Sequence, residues 1–117
     1  MPNIPRLESD IERALTRILR EDAKDPAIGF LTITDVDLTK DLSYLTIYYT
    51  VIEDENHSKD RVQKALERSS KFLRTALAQS VHLRKMPELR FRYDDTLDRA
   101  IRISEGLKKV MDDDKDE

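Results

Sequence analysis

The spacing of apolar residues switches between a helical period and strict alternation four times along this 117-residue chain, which limits it to a mixed helix-and-sheet fold. Ile4, Leu7, Ile11, Ala14, Leu15, Ile18 and Leu19 recur at helical spacing with charges between them. They predict an amphipathic helix from about Arg6 to Ala23. Asp25-Pro26 ends it, because the residue before a proline is pushed out of the helical region. Gly29 then supplies a flexible turn. Phe30 to Leu38 is rich in β-branched residues and reads as a strand; Thr39-Lys40-Asp41 has the length and polarity of a hairpin loop. Leu42 to Ile52 reads as a second strand, with Leu45, Ile47, Tyr49 and Val51 on one face and Tyr44, Thr46, Tyr48 and Thr50 on the other.

After a polar loop from Glu53 to His57, Ser58 is placed to cap a long helix running to about Val81. Val62, Ala65, Leu66, Ser69, Phe72, Leu73, Ala76 and Leu77 form its buried stripe, and this stripe keeps one phase, which predicts a continuous helix. Pro87 opens a third strand in which Leu89, Phe91 and Tyr93 alternate with Arg90 and Arg92. Asp94, Asp95 and Thr96 are capping residue types ahead of a last helix carrying Leu97, Ile101, Leu107 and Val110. Residues 112–117, DDDKDE, have nothing to bury and read as an unstructured acidic tail. There is no internal repeat or linker, so residues 1–111 read as one domain.

The order is α-β-β-α-β-α, in the α+β class. The third strand rejoins the sheet by a crossover through the second helix. This is the order of a K-homology type II-like domain, a fold that binds single-stranded nucleic acid. Unrelated folds share the order, so the residues must carry the argument for function.

The chain has no cysteine, which excludes a disulfide framework, a thiolate nucleophile and a zinc-thiolate site. No stretch approaches the roughly 20 apolar residues that cross a bilayer, and residues 1–7 hold no apolar run of signal-peptide length. The expected location is the cytoplasm. The net charge of −3 argues against a polyanionic partner, but its distribution reverses the argument. Between Lys59 and Arg92 there are ten cations and three anions, a local +7 that leaves −10 for the remainder.

Two segments carry a family resemblance. One is KDPAIGFLTITDVDLTKDLSYLTIYYTV, from Lys24 to Val51; the other is FLRTALAQSVHLRKMPELRFRYDD, from Phe72 to Asp95. Through their ordered K-D-P, Gly, Asp-Leu, Phe-Leu-Arg, Leu-Arg and Pro-Glu-Leu elements the chain resembles ribosome-binding factor A. The resemblance implies a K-homology-like domain that binds the immature 30S subunit, supports 16S rRNA maturation, is associated with growth in the cold and catalyses nothing. It implies no cofactor, no small-molecule substrate and a free protein that is a monomer. The family's second helix is typically kinked at an Ala-x-Gly, where this chain has Ser69, Ser70 and Lys71. Two serines can support a bend by bonding back to the preceding turn.

Arg61, Lys64, Arg68 and Lys71 step by three or four residues and share one side of the second helix; Arg74, Arg84 and Lys85 follow. With the resemblance, these seven are the candidate phosphate contacts, and Ser69 and Ser70 the point of close backbone approach. The competing reading is a solvated face that keeps the protein in solution. Arg90 and Arg92 either extend the basic surface or simply alternate out of the sheet. Tyr44 and Tyr48 are expected beneath a helix, with hydroxyls at the rim, in preference to an exposed stacking platform. His57 with Ser58 and Asp60 lies on a polar loop, which does not supply the fixed geometry of a triad. Two histidines without cysteine make no transition-metal cluster, and Asp35/Asp37 and Asp94/Asp95/Asp98 are explained by turns and caps. A protein-protein adaptor working through the amphipathic helices is the alternative from a different class.

Overall fold

The computed structural model describes residues 3–23, 25–28 and 31–115, with side chains as far as residue 106. Its elements are α1 (Ile4–Glu21), β1 (Leu31–Leu38), β2 (Tyr44–Val51), α2 (Lys59–Arg68), α3 (Ser70–Ser80), β3 (Glu88–Tyr93) and α4 (Thr96–Lys115). The expected turn at Gly29 and the strand start at Phe30 lie outside the described residues. So do the side chains of Leu107 and Val110, the side chains of the acidic tail, and residues 116 and 117.

The three strands are ordered β1-β2-β3. β1 runs antiparallel to β2 and β3 runs parallel to it, so the last strand does rejoin the sheet by a crossover through helix. The inner face buries Val36, Leu38, Leu45, Ile47, Tyr49, Leu89 and Phe91. Against it lie Ile11, Leu15 and Ile18 of α1, Val62, Ala65 and Leu66 of α2, and Leu73 and Leu77 of α3. Each such large side chain, fully buried, contributes about 1.5–3 kcal/mol relative to exposure. Their 3.6- and 2-residue periods are what place them on common faces.

Local signals set the ends. The Asn3 side chain accepts a hydrogen bond from the Arg6 N–H at 3.2 Å, and Pro5 stands in the first turn of α1, where its missing donor is harmless. Ser58 caps α2 through the Arg61 N–H, also at 3.2 Å. In β1 the inward residues shift from Leu31 and Ile33 to Val36 and Leu38. The pairing jumps from Ile33↔Tyr49 to Asp35↔Tyr48, so Thr34 is the extra residue of a β-bulge. Both edge strands have a backbone group covered by a side chain. Glu8 accepts from the Leu38 N–H at 2.9 Å, and the Gln63 amide donates to the Phe91 carbonyl at 2.9 Å, which blunts the edges.

Three expectations are corrected. First, the second helix is not continuous. It breaks at Ser69, whose ψ of 0° departs from helical geometry, and neither serine hydroxyl hydrogen-bonds within the described residues. The bend comes from packing: α2 lies over β3, whereas α3 turns to meet α1 as well. Second, that turn leaves Phe72 48% exposed instead of buried. Third, β2 begins at Tyr44, because Leu42 belongs to the hairpin with φ 62°. Leu97 and Ile101 of α4 are 66% and 48% exposed, because α1, α2 and α3 already occupy the inner sheet face.

Candidate nucleic-acid interface

The outward side of α2 and α3 is set by what the other side buries. With Val62, Ala65 and Leu66 against the sheet, Arg61, Lys64 and Arg68 point to solvent, and Lys71 continues the row beyond the bend. Among the described residues, no carboxylate lies within ion-pair distance of Arg61, Lys64 or Lys71. Ser69 and Ser70 are half-buried at the bend between them.

Arg68 is different. Its guanidinium bonds Asp25 at 3.1 Å, which ties the α1–β1 loop to the last turn of α2. The Ala27 N–H holds the Asp25 carboxyl below the usual carboxylate range, and Arg68 adds to the effect. A second tie comes from His57. Its Nε2 lies 2.9 Å from the Pro26 carbonyl and its Nδ1 2.7 Å from the Asp54 carboxylate. Both neighbours are acceptors, so both contacts are hydrogen bonds only when both ring nitrogens carry a proton. The Pro26 carbonyl first, and Asp54 next, raise the pKa of His57. The Ser58 hydroxyl meanwhile accepts from Arg61 and faces no ring nitrogen, so these residues do not form a triad.

Arg74 is exposed, but its guanidinium is engaged, donating to the Pro87 carbonyl at 3.1 Å and the Met86 carbonyl at 2.9 Å. It fixes the segment entering β3. Lys85 donates to the Ser43 hydroxyl at 3.3 Å, beside Asp41 of the hairpin. Arg84 is exposed at the far end of α3 from the bend. The nine candidate residues therefore form three groups: a free row, an ion-paired corner at Arg68, and a segment organised by Arg74.

Tyr44 and Tyr48 lie on the outward sheet face, which carries no packed helix among the described residues. This corrects the expectation that a helix covers them. The Arg90 guanidinium sits 3.7 Å from the Tyr44 ring centroid, and Arg92 is paired in register with Tyr48. The opposite edge of the same face carries Asp35 and Asp37 on β1. Nearby, the Asp94 carboxylate accepts from the Thr34 hydroxyl at 2.6 Å and from the Thr96 N–H, and its pKa is held down at about 2. No group of three or more metal-ligating side chains occurs among the described residues. The Arg90–Tyr44 stack escaped the sequence reading because it depends on the parallel register of β2 and β3, which no local pattern encodes.

Known proteins share both the sequence and the fold. The model of the family described as ribosome-binding factor A matches residues 3–107. Ribosome-binding factor A of Shewanella sediminis is 37% identical over 110 residues, covering 94% of this chain and 77% of that protein. The crystal structure of ribosome-binding factor A from Thermus thermophilus is 32% identical, with a TM-score of 0.69 over 78% of this chain and 94% of that one. A homology model of the Thermus thermophilus factor, fitted into the cryo-EM map of its 30S complex, matches with a TM-score of 0.61 at 32% identity over 76% of this chain and 92% of that one. With its K-homology-like arrangement of helices on a three-stranded sheet, this chain belongs to the ribosome-binding factor A family.

Proposed function

We propose that this protein is a non-catalytic assembly factor that binds the immature 30S subunit through 16S rRNA and supports that RNA's maturation and processing. The observation that carries the reading is the row of Arg61, Lys64 and Lys71 across the bend at Ser69, exposed and without an ion-pair partner among the described residues. A rigid row of cations tracks phosphates, and release of their counterions drives association. The fit of the Thermus relative into a 30S complex supports the choice of partner. Among the described residues no helix is long and apolar enough to cross a membrane. The protein acts as a monomer in the cytoplasm, without cofactor, and serves growth in the cold.

The test is co-sedimentation with immature and mature small subunits across a salt series. Wild type should pellet with small but not large subunits and be released by salt. The Lys64→Ala/Lys71→Ala pair should bind at least about tenfold more weakly, with a salt slope shallower by roughly 0.7–0.9 for each phosphate that is no longer neutralised. Unchanged binding by that variant would remove this surface from the interface.

A second reading rests on Leu97 and Ile101, exposed one turn apart on α4. It is a protein-protein contact with no RNA requirement, and it predicts binding that resists both salt and ribonuclease.

A further inference from the structure

Away from the helix bend, the first turns of α1, the β1–β2 hairpin and the α3–β3 segment enclose an open cleft of about 440 Å³. We propose that this cleft receives one unstacked nucleotide of the bound RNA, its base against Leu7, Leu42 and Leu83 and its phosphate between Arg6 and Arg84. The inference rests on the RNA-binding reading above and adds a site to it.

The floor is apolar and built. Leu42 is only 6% exposed although its φ is 62°, a backbone region that favours glycine. The hairpin holds it there. The Leu42 N–H donates to the Thr39 carbonyl at 2.9 Å, and the Thr39 hydroxyl and Asp41 carboxylate accept from the Ser43 N–H at 3.1 and 3.0 Å. Leu7 and Leu83 are half-buried beside it.

The rim carries two guanidinium groups. Arg6 and Arg84 are exposed, as is His82 between them in the lining, and neither arginine has an ion-pair partner among the described residues. The one carboxylate of the lining, Asp10, is engaged by Arg13 at 2.6 Å. The remaining polar group, the Asn3 side chain, caps α1. A smaller groove shares Leu7, Asp10 and His82 and runs on to Ser80 and Val81 along the α1–α3 seam, giving the strand a way out.

An inorganic anion needs no apolar floor, and an apolar peptide needs no guanidinium rim. A nucleotide uses both, because guanidinium planes stack on bases and bind phosphate in two-point fashion. The volume lies in the range of small-ligand clefts.

The experiment has two arms. In the first, ¹⁵N-labelled protein is titrated with millimolar adenosine monophosphate, inorganic phosphate, adenosine or a poly-glutamate peptide. Adenosine monophosphate should move the amide signals of Arg6, Leu42 and Leu83, and the Arg6→Ala/Arg84→Ala variant should lose the response. No shift in wild type, or equal shifts with phosphate or with the peptide, would overturn the proposal. In the second, the same variant and Leu83→Ala, each first shown by circular dichroism to be folded, are co-sedimented with small subunits. An affinity loss of about tenfold or more is expected. If wild type sediments and both variants match it, the cleft is wrong while the RNA reading stands. If wild type itself fails to sediment, the RNA reading fails first.

Discussion

Leu42 sets two residue-level effects against each other. A left-handed backbone costs a non-glycine residue about 1–2 kcal/mol, which glycine would recover. Removing a buried leucine side chain costs about 2–5 kcal/mol. The second is larger, so Leu42→Gly should destabilise the protein, lowering its urea midpoint; a raised midpoint would show that strain dominates. His57 gives a pH effect of definite sign. Its folded pKa is raised, so its contribution is fully present below the unfolded value near 6.5 and is lost as pH rises through the folded value. The Asp25–Ile28 loop should therefore loosen from the β2–α2 loop on the alkaline side. Histidine NMR should find the His57 pKa above the ordinary value. In Asp54→Asn the shift should shrink without vanishing, because the Pro26 carbonyl is the larger cause.

Between elements, one side chain fastens α2 to the sheet. Gln63 accepts a hydrogen bond from the buried Tyr49 hydroxyl and donates to the Phe91 carbonyl and to Glu67. Burial pushes the Tyr49 phenol up to about 12, so it stays a donor across the working pH range. Tyr49→Phe leaves one acceptor short, at a cost of about 1 kcal/mol. Gln63→Leu orphans both the hydroxyl and the carbonyl, each at about 1–3 kcal/mol. Denaturant curves should rank Gln63→Leu below Tyr49→Phe; the reverse order would mean that the bridge matters little. The Gln63 bridge was hidden in the sequence, since a polar residue beside a buried stripe looks like any solvated position. The bulge at Thr34 was legible, because the apolar phase slips by one residue between Ile33 and Val36, but the reading of β1 as simply β-branched passed over it.

For the whole molecule, charge and packing are both distributed unevenly. A net charge of −3 coexists with a segment of +7, so the partner meets a local field of the opposite sign to the average. α4 likewise stands apart from the core. Among the described residues, the ion pair that ties it to the body is Lys59–Asp98 at 3.3 Å, with Lys59 itself held over the Tyr93 ring of β3. An exposed pair of this kind adds little to stability, because water and salt screen it. Deleting residues 97–117 should therefore leave the urea midpoint close to that of wild type. A cooperative loss of the sheet would show that α4 buries more than its first turns indicate.

The alternation of periods by itself determined the α-β-β-α-β-α order, the inner face of β2 and β3, the Ser58 cap and the exposed cationic row. Each of these depends only on neighbours a turn or a pleat away. Tertiary structure alone decided the bend at Ser69, because an uninterrupted apolar stripe is compatible with a straight helix until α3 must reach α1 while α2 stays on β3. It also decided that Arg68 and Arg74 have internal partners. Asp25 and the Met86–Pro87 carbonyls are distant in sequence or across a turn, and a guanidinium finds its partner only once the chain has folded.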